Sequence, residues 1–148
     1  MATVVDGFED LPVKTHGRSI SRPAFTLTVP SGTGTELETV KDPQGLNKGI
    51  WVKFKWGSHY GEYDDMTVTL AGTGAQRVTF VNYRNEAGNP CRFYDAAGKQ
   101  LGTAALPAKS VTPVVCASSG AAIRKIEVSV AGGPGAYIVF DDFTIESV

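Results

Sequence analysis

Aromatic and hydrogen-bonding side chains are concentrated in residues 51–65 and again near residue 83. A sugar ring presents apolar C–H faces bordered by hydroxyl groups. A site that binds it therefore needs exposed, flat aromatic rings beside amide, carboxylate or guanidinium groups. These residue types predict a carbohydrate-binding surface. The candidate ligand-binding residues are Trp51, Trp56, His59, Tyr60, Tyr63, Tyr83 and Arg84.

Some of these aromatic residues could instead be part of the core. Trp56 shares its face of a strand-like run with Phe54, and this phase favours packing in the core. Trp51 alternates onto the opposite face beside Lys53, where both interpretations stay open. A single loop histidine such as His59 is more typical of ordinary surface than of a ligand site.

The patterns of common catalytic sites are missing from the sequence. There is no GxSxG element, and neither a GxGxxG motif nor a P-loop follows a strand-like run. A glycosidase needs only two carboxylates at a suitable separation, and the sequence selects no such pair. We therefore predict a protein without catalytic activity. The carboxylates considered for a glycosidase are Glu36, Glu38, Glu62, Asp64 and Asp65.

Length and composition predict one globular domain over residues 1–148. The chain is 42% hydrophobic and 20% charged, which is ordinary for a folded domain, and its net charge of -1 predicts no attraction to nucleic acid or anionic membrane. No run approaches the roughly 20 apolar residues of a membrane span. The first residues lack the features of a secretory signal. The chain would be secreted if a signal has been removed, and cytoplasmic otherwise.

Short alternating runs rich in Val, Ile, Thr and aromatic residues recur along the chain, for example at 25–29 and 50–56. No stretch keeps the spacing of an amphipathic helix beyond two turns. About eight to ten such strands, separated by Gly, Pro, Asn and Asp turns, fit two packed sheets better than one open sheet. The predicted fold is all-β, a two-sheet antiparallel β-sandwich of the jelly-roll type.

Glycine-containing turns join three pairs of neighbouring runs. Two strands joined by a short turn typically pair with each other as a hairpin. The predicted hairpins are 66–70 with 77–83, 92–95 with 99–106, and 123–130 with 136–145.

The two cysteines, Cys91 and Cys116, do not form a zinc motif or a disulfide framework. Both lie in strand-like runs, so adjacent strands could bring them within bonding range. A disulfide and two small buried thiols both stay open.

Four short segments occur in a recognisable order: Asp-Gly-Phe-Glu-Asp-Leu-Pro at 6–12, Tyr-Asp-Ala-Ala-Gly-Lys-Gln-Leu-Gly at 94–102, Ile-Arg-Lys-Ile-Glu-Val at 123–128 and Tyr-Ile-Val-Phe-Asp-Asp-Phe-Thr-Ile-Glu at 137–146. In this order they resemble the galactose-binding-like jelly rolls of carbohydrate-binding modules and of accessory domains in surface proteins. Those domains carry a Phe-Glu element on an early strand, Tyr-Asp-x-x-Gly in a middle hairpin and Asp-Asp-Phe or Asp-Asp-Ile on the last strand. The resemblance covers the outer strands and the second half of the chain.

The resemblance implies that the first and last strands lie side by side and share a structural calcium ion. Glu9 matches the early acidic position, and Asp141 or Asp142 matches the late one. Consecutive strand residues point to opposite faces, so one of the two aspartates would face inward unless a bulge turns it. An inward carboxylate is costly unless it is paired or metal-bound. Solvation, backbone hydrogen bonds or a salt bridge are the alternatives to calcium.

The predicted function is the binding of a glycan or cell-surface carbohydrate, without catalysis and with calcium in a structural role. One alternative is a protein-interaction or assembly module, such as a secreted toxin component, an adhesin or a phage-structure piece. A second alternative is a small glycosidase or lyase on the same fold. Neither nucleic acid binding nor membrane insertion is expected, and a homo-oligomer stays open.

Overall fold

The computed structural model describes residues 2–31, 34–46, 49–55, 65–130 and 137–147. Within these ranges no helix is long and apolar enough to cross a membrane, and the helical structure is a single 3-10 turn at Pro43–Gly45. In chain order the strands are β1 (Thr3–Asp6), β2 (Thr15–Gly17), β3 (Ser19–Ser21), β4 (Phe25–Thr28), β5 (Glu36–Lys41), β6 (Ile50–Lys55), β7 (Asp65–Leu70), β8 (Ala75–Arg84), β9 (Gly88–Tyr94), β10 (Gln100–Leu106), β11 (Val114–Ala117), β12 (Lys125–Ser129) and β13 (Ile138–Ser147).

The strands form two antiparallel sheets that pack face to face, which confirms the all-β jelly-roll sandwich. Sheet A has the order β11–β8–β13–β6–β5–β2, with β1 also paired to β13. Sheet B has the order β10–β9–β12–β7–β4–β3. Because strands that are far apart in the chain pair with each other, the sheets hold distant segments together.

The last strand, β13, contains one extra residue that changes its phase. Asp141 pairs with Val81 of β8 and Thr144 pairs with Thr79, so three steps along β13 match two along β8. Asp142 absorbs the difference with a φ of 50°, as expected for the left-handed position of a bulge. On either side of it, Phe140 and Phe143 are both fully buried.

Aromatic rings from both sheets and from the N-terminal segment fill the core around this bulge. Phe80 stacks on Phe143 with ring centroids 5.0 Å apart, and Phe54 meets Phe140 edge to face at 5.3 Å. Such contacts add to the stabilisation from the buried area alone. The rings of the cluster belong to Phe8, Phe25, Phe54, Phe80, Phe140 and Phe143.

The first and last strands lie side by side, as the resemblance implies. β1 pairs with β13 from Thr3 opposite Glu146 to Asp6 opposite Phe143. The buried Asp6 accepts two hydrogen bonds from Arg22, of 2.7 and 3.0 Å, and a third from the backbone N–H of Phe8. These bonds satisfy a carboxylate that would otherwise be costly to bury.

One of the three predicted hairpins is confirmed. β9 pairs with β10, and Gly98 takes a φ of 83° in the turn between them. The other two hairpins are wrong, because β7 and β12 belong to sheet B whereas β8 and β13 belong to sheet A. After β7 the chain crosses between sheets, and Ala75 exchanges backbone hydrogen bonds of 2.9 and 2.7 Å with Ile123.

We predict that Asp142→Val lowers the free energy of unfolding by about 1–2 kcal/mol, because a β-branched side chain is strained at positive φ. Asp142→Gly should remain within about 0.5 kcal/mol of wild type, since glycine adopts this conformation freely. Urea unfolding in the presence of a chelator measures both changes. Thr144→Val, in a regular part of β13, is the control. Equal stability of the Val and Gly variants at position 142 would contradict the bulge.

Candidate functional site

Four of the predicted ligand-binding residues lie outside the described residues. They are Trp56, His59, Tyr60 and Tyr63, all in the segment 56–64 that follows β6. Their role stays a prediction. The structure therefore bears on the other three, Trp51, Tyr83 and Arg84.

Trp51 is buried and does not offer a ring face to a ligand, so the prediction that it belongs to the binding surface is wrong. It lies on the outer face of sheet A, as its phase predicts, yet its exposed fraction is 2%. Val139 and Asp141 on the same face are equally buried. The outer position in the strand alternation therefore did not mean exposure, because this part of the outer face is itself covered.

Arg84 is also removed from the predicted surface. It shares its face of β8 with Phe80 and Asn82 and points between the sheets, with an exposed fraction of 1%. Its Nε donates to Asn82 Oδ1 at 3.1 Å, and its Nη2 donates to the carbonyl oxygen of Ser129 at 3.0 Å. Burial lowers the pKa of Arg84 to about 10, and the nearby Cys91 opposes this shift. The sequence interpretation ended the strand too early, since the core alternation continues to this residue.

Tyr83 remains, and the topology aligns it with residues from distant parts of the chain. Val139 of β13 pairs with Tyr83 on one side and with Lys53 of β6 on the other, and Lys53 pairs with Glu38 of β5. This row crosses four adjacent strands on the outer face of sheet A, and Val139 at its centre is fully buried, so the accessible members are Tyr83, Lys53 and Glu38. Tyr137 lies two residues before Val139, beside the row. We call Glu38, Lys53, Tyr83 and Tyr137 the outer patch.

The members of the outer patch are half-buried and interact with one another. Lys53 Nζ lies 3.1 Å from Glu38 Oε1 and 5.7 Å from the centre of the Tyr137 ring. Burial, together with the nearby Tyr83 and Glu38, raises the pKa of Tyr137. The Tyr137 hydroxyl is therefore protonated at neutral pH and can donate as well as accept a hydrogen bond.

Asn85 fixes the backbone beneath Tyr137. Its Oδ1 accepts a hydrogen bond of 2.9 Å from the N–H of Tyr137, and its own N–H donates to the Tyr137 carbonyl oxygen at 3.2 Å. These bonds connect the end of β8 to the start of β13. The ring of Tyr137 is thus presented from a fixed main chain.

The outer patch combines the groups that a hydroxyl-rich ligand requires. Two tyrosines supply flat faces and hydroxyl groups, while an ammonium and a carboxylate supply charge-assisted hydrogen bonds. Sequence analysis found Tyr83 as a binding residue and considered Glu38 only as a possible catalytic carboxylate, but it missed Tyr137 and Lys53. Strand alternation already put Lys53 on the outer face, but only the pairing of β13 between β6 and β8 brings Tyr137 beside it.

The three predicted calcium ligands converge at the bulge. A Cβ placed on Gly7 would lie 3.2 Å from Asp142 Oδ1, 3.7 Å from Asp141 Oδ1 and 3.8 Å from the Cγ of Glu9. Asp141 is buried, whereas Asp142 and Glu9 are exposed. Glu9 Oε1 also accepts a hydrogen bond of 2.9 Å from the N–H of Ile50, at the start of β6.

These carboxylates are suitable in kind for calcium, which prefers oxygen ligands. Among the described residues, however, no group of three or more His, Cys, Asp or Glu side chains is arranged so that it could hold a metal ion. The calcium ion therefore stays a prediction.

No family model matches the chain, and no curated protein matches it. Similar folds occur among solved structures. A family 29 carbohydrate-binding module has 10% identity and a TM-score of 0.56, covering 98% of this chain and 89% of that one. The K1 cleaved adhesin domain of Lys-gingipain from Porphyromonas gingivalis W83 has 14% identity and a TM-score of 0.59, with 100% and 99% coverage.

The CBM22-1–GH10 modules of the Clostridium thermocellum xylanase 10B, solved with xylohexaose, have 16% identity and a TM-score of 0.53. That match covers 98% of this chain and 28% of the xylanase chain. Identities this low establish a shared fold. The resemblance to the jelly rolls of carbohydrate-binding modules is thereby confirmed for the architecture.

Because Trp51 is buried, we predict that Trp51→Ala lowers the free energy of unfolding by about 3–5 kcal/mol. Trp51→Phe, which keeps an aromatic ring, should cost less and should leave ligand binding by the folded fraction unchanged. Denaturant unfolding monitored by circular dichroism tests the first expectation. A Trp51→Ala variant with the stability of wild type would return this residue to the surface.

Proposed function

We propose that this chain is a non-catalytic carbohydrate-binding domain and that the outer patch contacts the glycan. The observation that carries the proposal is the row of Tyr83, Lys53 and Glu38 across sheet A, with Tyr137 beside it. The shared fold with carbohydrate-binding modules supports it.

The dimensions of the row suit a chain of sugars better than a single ring. From Tyr83 to Glu38 it crosses three interstrand spacings, about 14 Å at 4.7–4.9 Å each. The aromatic residues lie toward one end, and the ion pair of Lys53 with Glu38 lies at the other. Stacking and hydrogen bonding would therefore act on successive parts of an extended ligand.

The charges of the outer patch favour recognition through hydroxyl groups. Glu38 neutralises Lys53 at 3.1 Å, so the binding of a neutral glycan leaves no unpaired charge in the outer patch. An acidic sugar would instead compete with Glu38 for the ammonium group. Binding to neutral glycans should accordingly depend little on salt concentration.

The arrangement of carboxylates supports a binding role over catalysis. A glycosidase places two carboxyl groups about 5–10 Å apart across the scissile bond. Of the carboxylates considered from the sequence, Glu62 and Asp64 lie outside the described residues. Asp65 accepts a hydrogen bond of 2.9 Å from Arg92 on sheet B. Glu38 is paired with Lys53 at 3.1 Å, and Glu36, at the start of β5, lies opposite Lys55 in the strand pairing. We therefore propose that the outer patch binds and does not hydrolyse.

A protein ligand is the second candidate. The fold shared with the adhesin domain of Lys-gingipain over the whole of both chains favours it. Half-buried tyrosines beside charged groups also occur at protein interfaces. Both candidates use the outer patch, so substitutions there cannot distinguish them. Binding to a panel of glycans can, because only a carbohydrate-binding domain should bind a member of the panel.

We predict that Tyr137→Ala weakens glycan binding by about tenfold or more, because an aromatic contact of this kind contributes about 1.5 kcal/mol. Affinity electrophoresis against neutral xylans, glucans and mannans, followed by calorimetry on the best ligand, provides the measurement. Tyr83→Ala should act in the same direction.

The matched control is Tyr94→Ala on sheet B. Tyr94 lies under Lys125 Nζ at 4.7 Å, which resembles the pair of Tyr137 and Lys53 on the other sheet. The control should bind as wild type does. Equal losses from both variants, or a folded protein that binds nothing across plant, bacterial and animal glycans, would reject the proposal.

We further propose that a calcium ion stabilises the junction of β1, β6 and β13, with Glu9, Asp141 and Asp142 as its ligands. The convergence of the two aspartate oxygens beside Gly7 supports this proposal. Glu9, whose Oε1 bonds the main chain of Ile50, could contribute its second oxygen. The role is structural, since the three residues lie at the joint between strands.

If calcium binds there, adding it should raise the melting temperature and chelation should lower it. At a free concentration a hundred times the Kd, the stabilisation amounts to about 2.7 kcal/mol. Asp142→Asn should weaken the response, whereas Asp10→Asn, an exposed position paired with Arg22, should not. A melting curve that is the same with calcium and with chelator removes the metal.

A further inference from the structure

The two cysteines of the chain meet in the core although they belong to different sheets. Cys91 lies on β9 of sheet B, and Cys116 lies on β11 of sheet A. Both are fully buried, and their sulfur atoms are 3.8 Å apart. The contact joins the sheets at the edge strand β11, which pairs with β8 in sheet A.

A buried cation lies beside this pair. Among the described residues, Arg84 donates hydrogen bonds to neutral oxygens of Asn82 and Ser129, and its Nη1 fills the space that a Cβ on Gly88 would need. The hydrogen bond from Cys116, with smaller contributions that include the charge of Arg84, lowers the pKa of Cys91. A thiolate at Cys91 would thus supply a counter-charge to the buried guanidinium group.

We propose that Cys91 and Cys116 are a disulfide site that ties edge strand β11 of sheet A to sheet B. A disulfide bond requires the sulfurs to be about 2.05 Å apart, so the thiols have to close by less than 2 Å. The site is independent of the outer patch. It differs from two isolated buried thiols because the two sulfurs face each other across the two sheets at 3.8 Å.

The reaction balances with a small disulfide such as oxidised glutathione as the oxidant. The Cys91 thiolate attacks one sulfur of the oxidant, and the first glutathione thiolate leaves. The Cys116 thiolate then displaces the second glutathione from the mixed disulfide. The two cysteine sulfurs are oxidised, the small disulfide is reduced to two thiols, and these take up the two protons released by the cysteines.

The burial of both sulfurs determines when the bond forms. A dissolved oxidant cannot reach either cysteine in the native fold, so oxidation precedes the docking of β11 or follows its local opening. β11 is only four residues long and lies at the edge of its sheet, so it is among the elements most easily detached. Once formed, the bond would keep this edge in place.

The test is refolding of the full chain from denaturant in a mixture of oxidised and reduced glutathione. We expect the product to lose two hydrogens by mass and to show no free thiol in denaturant. Its melting temperature should be about 5–10 °C above that of the reduced protein, from the stabilisation typical of a loop of this length. The double variant Cys91→Ala, Cys116→Ala should show no such difference between oxidising and reducing conditions.

Single variants test the pairing of the two cysteines. Neither Cys116→Ser nor Cys91→Ser should show the rise in melting temperature under oxidising conditions, because each variant lacks one sulfur of the bond. Two free thiols per wild-type chain after oxidative refolding, or an oxidised chain that melts at the same temperature as the reduced one, would overturn the disulfide site.

Discussion

The extra residue in β13 is the constraint on which the remaining structure depends. With Asp142 in the left-handed conformation, Phe140 and Phe143 both reach the core, although regular alternation would put them on opposite faces. Before Asp142, β13 pairs with β6; after it, β13 pairs with β1 along the same edge. The packing of the aromatic core and the pairing of the first strand with the last therefore both depend on the backbone conformation of Asp142.

The outer patch follows from the same strand. Because β13 runs between β8 and β6, Tyr83 and Lys53 lie on either side of Val139. Tyr137, the residue before β13, lies beside Lys53, and the hydrogen bond from its N–H to Asn85 fixes its main chain. Sheet B carries a comparable tyrosine and lysine on its outer face, but there Glu127 and Arg92 form further polar contacts with their neighbours. The two faces of the sandwich thus offer similar side chains in different arrangements.

The sequence predicted a residue's environment correctly where that environment is formed by neighbours in the chain, and failed where it is formed by distant segments. Turn chemistry identified the hairpin of β9 and β10, since Asp95 and Gly98 close it by themselves. The same kind of turn after β7 carries the chain to the other sheet, which no local signal reveals. Strand phase gave the direction of Trp51 correctly but not its burial, because burial depends on chain that is distant in sequence. Arg84 was misplaced for a different reason, because β8 continues one residue beyond its predicted end at Tyr83.

The sequence by itself determined the all-β class and favoured a two-sheet sandwich, since alternation and turn residues are properties of the linear chain. The convergence of the terminal segments was implied by the resemblance of its short motifs to known jelly rolls. The tertiary structure decided which strands share a sheet, and hence that Glu38, Lys53 and Tyr137 meet and that Cys91 faces Cys116. Each of these contacts joins residues from different strands. Their proximity is set by the packing and pairing of whole sheets, and no single segment encodes it.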